Sequence, residues 1–193
     1  RPYGEATIKG SCWKEQQTLG CGAVLGTEGS GKAGLVARWG SRAADKPILI
    51  VGASQVADMI EPKDPLKSLA KLIAVQSDGS PDEEAKRWLR RLRRWRDNTT
   101  GQSSSDLRFL VLVDGLNELS GMPWAEIIMK LSADVSTLGG RLVLTCRQGY
   151  WDREIAPRLA GINLIRILVG DYTPEELNAL LRQRKFDIDT IPE

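Results

Sequence analysis

Histidine is absent from this 193-residue chain. That excludes every mechanism needing an imidazole as base, proton shuttle or metal ligand within it. Cysteine is scarce: Cys12, Cys21 and Cys146 are odd in number and widely spaced. They form no paired metal-ligand motif and no disulfide framework, which favours a reducing compartment and a cytoplasmic protein. No stretch reaches the roughly 18 consecutive apolar residues that span a bilayer, no signal-peptide pattern is visible, and no membrane partner is expected. Charge of one sign is also missing: 27 Lys and Arg face 25 Asp and Glu, a net +2 that gives no general attraction to nucleic acid.

What remains is the composition of a folded domain. Hydrophobic residues make up 41% and charged residues 27%, and the length suits one domain with a sizeable core. The chain opens on Arg1 without an initiator Met and closes on Ile191-Pro192-Glu193. It is expected to be a piece of a longer multidomain protein.

Short apolar runs alternate with helical patterns, the signature of a parallel α/β sheet. Strands are predicted at Cys21 to Leu25, Pro47 to Val51, Leu107 to Val113, Arg141 to Thr145 and Asn163 to Val169. Their near-continuous apolarity suits strands buried on both faces. A helix from Gly31 to Trp39 should carry Leu35 and Val36 inward. Further helices are predicted over Pro65 to Val75 and Pro81 to Arg96. The latter opens with Ser80, a first-position proline and Asp82-Glu83-Glu84 on the positive end of its dipole. Residues 98–106 read as a mobile loop, and Thr173-Pro174-Glu175-Glu176 caps a helix running to about Arg184.

Three segments carry chemistry. Gly26-Thr27-Glu28-Gly29-Ser30-Gly31-Lys32-Ala33-Gly34 lies between a predicted strand and a predicted helix. Gly-x-x-x-x-Gly-Lys in that context cradles phosphates with backbone N–H groups, its Lys neutralises their charge, and a following Ser or Thr holds Mg²⁺. Here Ala33 replaces that hydroxyl. The alternative is an ordinary glycine-rich turn. Second, Phe109-Leu110-Val111-Leu112-Val113-Asp114 ends an apolar strand in a carboxylate, with Glu118 four residues later. Asp114 could hold Mg²⁺ at the carboxyl edge of the sheet, and Glu118 could orient or deprotonate a water. The same residues could be a strand ending in a plain Asp-Gly turn. Third, Leu142-Val143-Leu144-Thr145-Cys146-Arg147 puts an arginine at that edge, able to reach a terminal phosphate. A solvated loop arginine is the alternative.

Together these segments resemble the nucleotide-binding domain of the STAND class of P-loop NTPases, and within it the NACHT-like modules. Gly26 to Lys32 matches Walker A, Asp114-Gly115-x-x-Glu118 matches Walker B, and Thr145-x-Arg147 matches the sensor strand. Gly170-Asp171-Tyr172-Thr173-Pro174-Glu175-Glu176-Leu177 is similar to the segment opening the next helical region, so the likeness spans about Cys21 to Arg184. It implies a three-layer α/β P-loop NTPase fold, with a five-stranded parallel sheet in the order 5-1-4-3-2 and helices on both faces. The core would cover 1–170, and the following helical region would begin in 171–193. It implies ATP or ADP as nucleotide, with Lys32 on the β/γ phosphates, N–H groups from Gly29 to Ala33, Asp114 on Mg²⁺, Glu118 at water and Arg147 sensing the γ-phosphate. Members switch from a resting ADP form to an ATP-bound homo-oligomer, several of them in immunity, cell death or antiphage defence. Their sensor and effector domains would flank this chain. Ala33 departs from the pattern, so hydrolysis should be slow or impaired while binding survives. A nonhydrolysing scaffold with structural nucleotide is a second reading.

The run from Lys86 to Arg96 holds seven cations, with Ala85, Trp88, Leu89, Leu92 and Trp95 at helical spacing. A surface helix docked on the sheet through that stripe is the favoured expectation. Contact with an acidic partner, a neighbouring subunit's nucleotide or nucleic acid is the alternative, the last making the chain a nucleic-acid-processing ATPase.

Overall fold

The computed structural model describes residues 21–32, 34–36, 46–59, 64–99, 107–159 and 164–170, together with Thr173 and Glu175. Five strands form one sheet: β1 (Cys21–Gly26), β2 (Ile48–Gly52), β3 (Phe109–Asp114), β4 (Gly140–Arg147) and β5 (Leu164–Val169). All neighbours pair in parallel, in the order β2-β3-β4-β1-β5. This is the expected P-loop order read from the opposite edge.

Successive strand residues face opposite sides of a sheet, and the core divides accordingly. Ala23, Leu25, Val111, Val113, Leu142 and Leu144 pack on one side. Val24, Leu112, Val143 and Ile167 pack on the other, where Val36 covers them. The apolar runs do not alternate because each strand is buried from both directions.

Four helices serve the first side: α1 (Ala53–Met59), α2 (Pro65–Ala74), α3 (Pro81–Thr99) and α4 (Trp124–Thr137). Asp64 caps α2, its side chain accepting from the Lys67 N–H at 3.2 Å, with Pro65 in the first turn. Helix α4 lies outside the elements expected from sequence, although Trp124, Ile127, Ile128, Leu131 and Val135 recur at helical spacing and are all buried.

Several expected boundaries shift. Helix α3 runs to Thr99, three residues past the predicted Arg96, into the stretch read as a loop. It docks chiefly against α2 rather than directly on the sheet. Leu92 is buried, Trp88 and Leu89 pack against the core, and Trp95 meets the sheet through Phe109, ring centroids 6.2 Å apart. Gly140 admits that phenyl ring, since a Cβ there would lie 2.5 Å from it. Lys32 and residues 34–36 are helical, with Val36 buried and Leu35 half-buried. Ala33, residues 37–45, 100–106 and 176–193 lie outside the described residues, and so does Cys12. Glu175 is helical, and hydrogen bonds from its own N–H and from Thr173 hold its carboxyl below the usual range. No helix among the described residues is long and apolar enough to cross a membrane.

Candidate functional site

Parallel register brings three strand ends to one edge. Gly26 at the end of β1 pairs with Arg147 at the end of β4, and Asp114 closes β3 on the far side of β4. Each polar group is therefore the last residue of its strand, one to two positions further than the sequence pattern suggests. Open α/β sheets bind ligands at this edge.

The loop after β1 is shaped by its glycines. Gly29 and Gly31 have φ of 75° and 76°, a left-handed geometry that glycine adopts without steric cost and that turns neighbouring N–H groups toward one concave side. A Cβ on Gly26 would come within 2.6 Å of Ser30 Oγ and 2.7 Å of the Val169 carbonyl. Ser30 is buried and its hydroxyl donates to the Thr27 carbonyl at 2.9 Å, closing the turn. The Lys32 ammonium lies inside the loop, donating to the Gly26 carbonyl and Ser30 Oγ, each at 3.3 Å, and to the Thr27 carbonyl. Burial lowers its pKa and the nearby Arg147 lowers it further, against the carboxylates of Asp114 and Glu28. Gly34 is exposed on the helix that follows.

Arg147 reaches the loop from β4. Its guanidinium is 2.6 Å from the Glu28 carboxylate, across the mouth of the turn. Its backbone N–H donates to Asn117 Oδ1 at 2.9 Å, which ties the end of β4 to the short 3₁₀ turn Leu116–Glu118 after β3.

Asp114 is half-buried beside Thr145. The Thr145 hydroxyl, itself buried, donates to the Asp114 carboxylate and accepts the Gly115 N–H at 3.0 Å. One hydroxyl thus orients the carboxylate and anchors the turn. Gly115 adopts φ 78°, and a Cβ there would strike the Glu118 carboxyl at 2.7 Å. Glu118 folds back over that turn and remains exposed to solvent.

The structure gathers Gly26 to Lys32, Asp114, Glu118 and Arg147 at one edge; Ala33 alone of the candidate site residues lies outside the described ones. Three contributions escaped the sequence reading. Thr145 was legible in part, as a hydroxyl at the end of the apolar run Leu142-Val143-Leu144. Asn117, as a brace for β4, carried no signal. Glu28, as the partner of Arg147, joins residues 119 positions apart and needed the fold. The buried thiols of Cys21 and Cys146 are pushed up to about 12 and about 11 by desolvation, so neither is poised as a nucleophile. Among the described residues no three His, Cys, Asp or Glu side chains gather as a metal cluster.

No protein-family model and no curated protein matches the chain. Among solved structures, AMPPCP-bound DnaA from Aquifex aeolicus matches at TM-score 0.47 and 16% identity, over 91% of this chain and 50% of that one. Drosophila ORC bound to DNA matches at TM-score 0.48 and 15% identity, over 86% and 44%. Domain III of the Thermotoga maritima replication initiation protein DnaA matches at TM-score 0.47 and 13% identity, over 93% and 67%. The chain thus spans about half the length of the Aquifex aeolicus protein. At such scores the likeness adds nothing to what sheet order and loop geometry already establish.

Proposed function

We propose that this chain is the nucleotide-binding module of a STAND-class, NACHT-like switch, taking ATP or ADP on the Gly26 to Lys32 loop and the start of the helix that follows it. The observation carrying this reading is the approach of Arg147 to that loop, 2.6 Å from Glu28, beside the Lys32 ammonium. Two cations that raise each other's energy in a partly desolvated cradle are relieved by an anion placed between them. A row of phosphates is such an anion. The left-handed Gly29 and Gly31 suit backbone N–H donation to it.

Lys32 would neutralise the β/γ phosphates, and residues 29–33 would supply N–H groups. Arg147 would exchange its Glu28 partner for the terminal phosphate, so that the end of β4 reports which nucleotide is bound. The residues fit Mg²⁺ in part. Asp114 offers one oriented carboxylate, in keeping with an ion that retains waters, but Ala33 brings no hydroxyl. Bound there, Mg²⁺ would neutralise charge on the phosphate oxygens. Glu118, exposed and folded back over the Gly115 turn that follows Asp114, would hold a water. Binding should therefore outlast turnover. The wider role, a nucleotide-controlled homo-oligomer in immune or antiphage signalling with flanking sensor and effector domains, rests on the motif resemblance.

Isothermal titration with ATP and ADP tests the reading. Both should bind, and Lys32→Ala should weaken each at least tenfold, a loss of about 1.4 kcal/mol. Failure of the parent chain to bind either would end the proposal. Ala33→Ser should add Mg²⁺-dependent turnover. If binding is intact and that variant stays silent, the chain is a scaffold whose nucleotide is structural.

A further inference from the structure

Helix α3 presents a second charged surface, remote in sequence from the loop. Its core side is Trp88, Leu89 and Leu92. Opposite, Arg87, Arg90, Arg91 and Arg94 are all exposed, at spacings of three, four and seven that set them on one face. The helix's three other cations all have local acids. Lys86 pairs with Glu83 at 2.9 Å, Arg93 with Asp64 at 3.9 Å and Arg96 with Asp97 at 3.5 Å. On the arginine face, Arg87 meets Glu84 at 3.3 Å and the Arg91 guanidinium lies 4.8 Å over the Trp88 ring. Arg90 and Arg94 form no ion pair among the described residues.

Like charges at these spacings repel along a helix, so a solvated face gains nothing from four arginines in register. An anionic partner converts that repulsion into attraction. Its chemistry follows from what the face lacks. Protein interfaces draw on an apolar or aromatic core, and no apolar side chain stands among these four arginines. The tryptophans sit toward the core side: the Trp88 ring lies under Arg91, and Trp95, though partly exposed, leans on Phe109, so neither stands within the arginine face as a platform for stacking bases. A partner held here is held by charge and by guanidinium forks alone. From Arg87 to Arg94 the helix rises about 10.5 Å, enough to meet several successive phosphates. Arginine predominates over lysine, as bidentate phosphate contact prefers.

We propose that this face of α3 binds the phosphate backbone of a nucleic acid through Arg87, Arg90, Arg91 and Arg94, without reading its sequence.

The test is fluorescence anisotropy of the full chain with a labelled 20-mer, single-stranded and as duplex, across salt. Contacts to three or four duplex phosphates should weaken binding roughly 40- to 150-fold between about 50 and about 200 mM salt. Arg90→Ala with Arg94→Ala should cut affinity at least tenfold at low salt and lower the logarithmic salt slope by about 1.8. Arg93→Ala with Arg96→Ala removes equal charge from paired residues and should cost clearly less. Circular dichroism melts check that each variant is folded, and Arg90→Gln with Arg94→Gln replaces any variant that is not. Absence of binding to both forms at low salt would overturn the proposal, as would equal losses from the two double variants. Tighter binding of a polyglutamate peptide, lost in the same variants, would assign the face to an acidic protein instead.

Discussion

Thr145 is the residue on which the site's geometry turns. Its hydroxyl is buried and serves two partners at once, accepting from Gly115 N–H and donating to the Asp114 carboxylate. Thr145→Val keeps the shape of the side chain but leaves a buried N–H and a half-buried carboxylate without their partner. Unsatisfied groups of this kind cost about 1–3 kcal/mol, so the urea midpoint should fall accordingly. Thr145→Ser should recover most of that loss. A midpoint unchanged in Thr145→Val would show that water replaces the hydroxyl on both sides. Glu28 makes a related point. Its type and position in the loop are plain in the sequence, but nothing there reveals that Arg147 is its partner.

Elements on the site side of the chain were the easiest to read, because apolar runs bounded by glycine and polar residues mark strands buried on both faces. Strand ends were harder. Asp114 and Arg147 extend their ladders by pairing with neighbours, which depends on register rather than on local preference. Helix α3 shows both sides of this. Its apolar stripe was visible, but its docking partner, α2, follows from how the crossover between β2 and β3 folds. Leu92, 1% exposed, should be the stripe's anchor. Leu92→Ala is expected to destabilise by about 2–5 kcal/mol, whereas Arg90→Ala, on the opposite face, should stay within about 0.5 kcal/mol. Chemical denaturation of the two variants checks the contrast. Equal effects would mean that α3 is not held by this stripe.

At the scale of the molecule, assembly of three helices on one sheet face creates a pH dependence that no segment has alone. Burial pushes the Asp134 carboxyl on α4 up to about 6 from an ordinary 3.8, and the charge of Asp64 at the start of α2 adds to the shift. Asp64 in turn faces Arg93 of α3 at 3.9 Å. The folded state therefore holds the Asp134 proton more tightly than the unfolded chain does. Stability from this group is complete below about 3.8 and is lost as pH rises through about 6. Asp134→Asn should melt like the parent near pH 4 and higher than it near pH 7, by thermal denaturation across about pH 4 to 7. A difference that does not change with pH would exclude this origin.

The sequence by itself determined the parallel α/β class, the phosphate-loop motif and the identities of Asp114, Glu118 and Arg147 as edge residues, since these follow from local periodicity and spacing. Tertiary structure decided the rest: the Glu28–Arg147 contact, the Thr145 bridge, the Asn117 brace and the acid pair Asp64 and Asp134. Each joins residues about 30 to 120 positions apart in sequence, some at the surface and some buried. Their encounter is fixed by sheet register and helix packing, quantities that belong to the assembled chain and to no stretch of it.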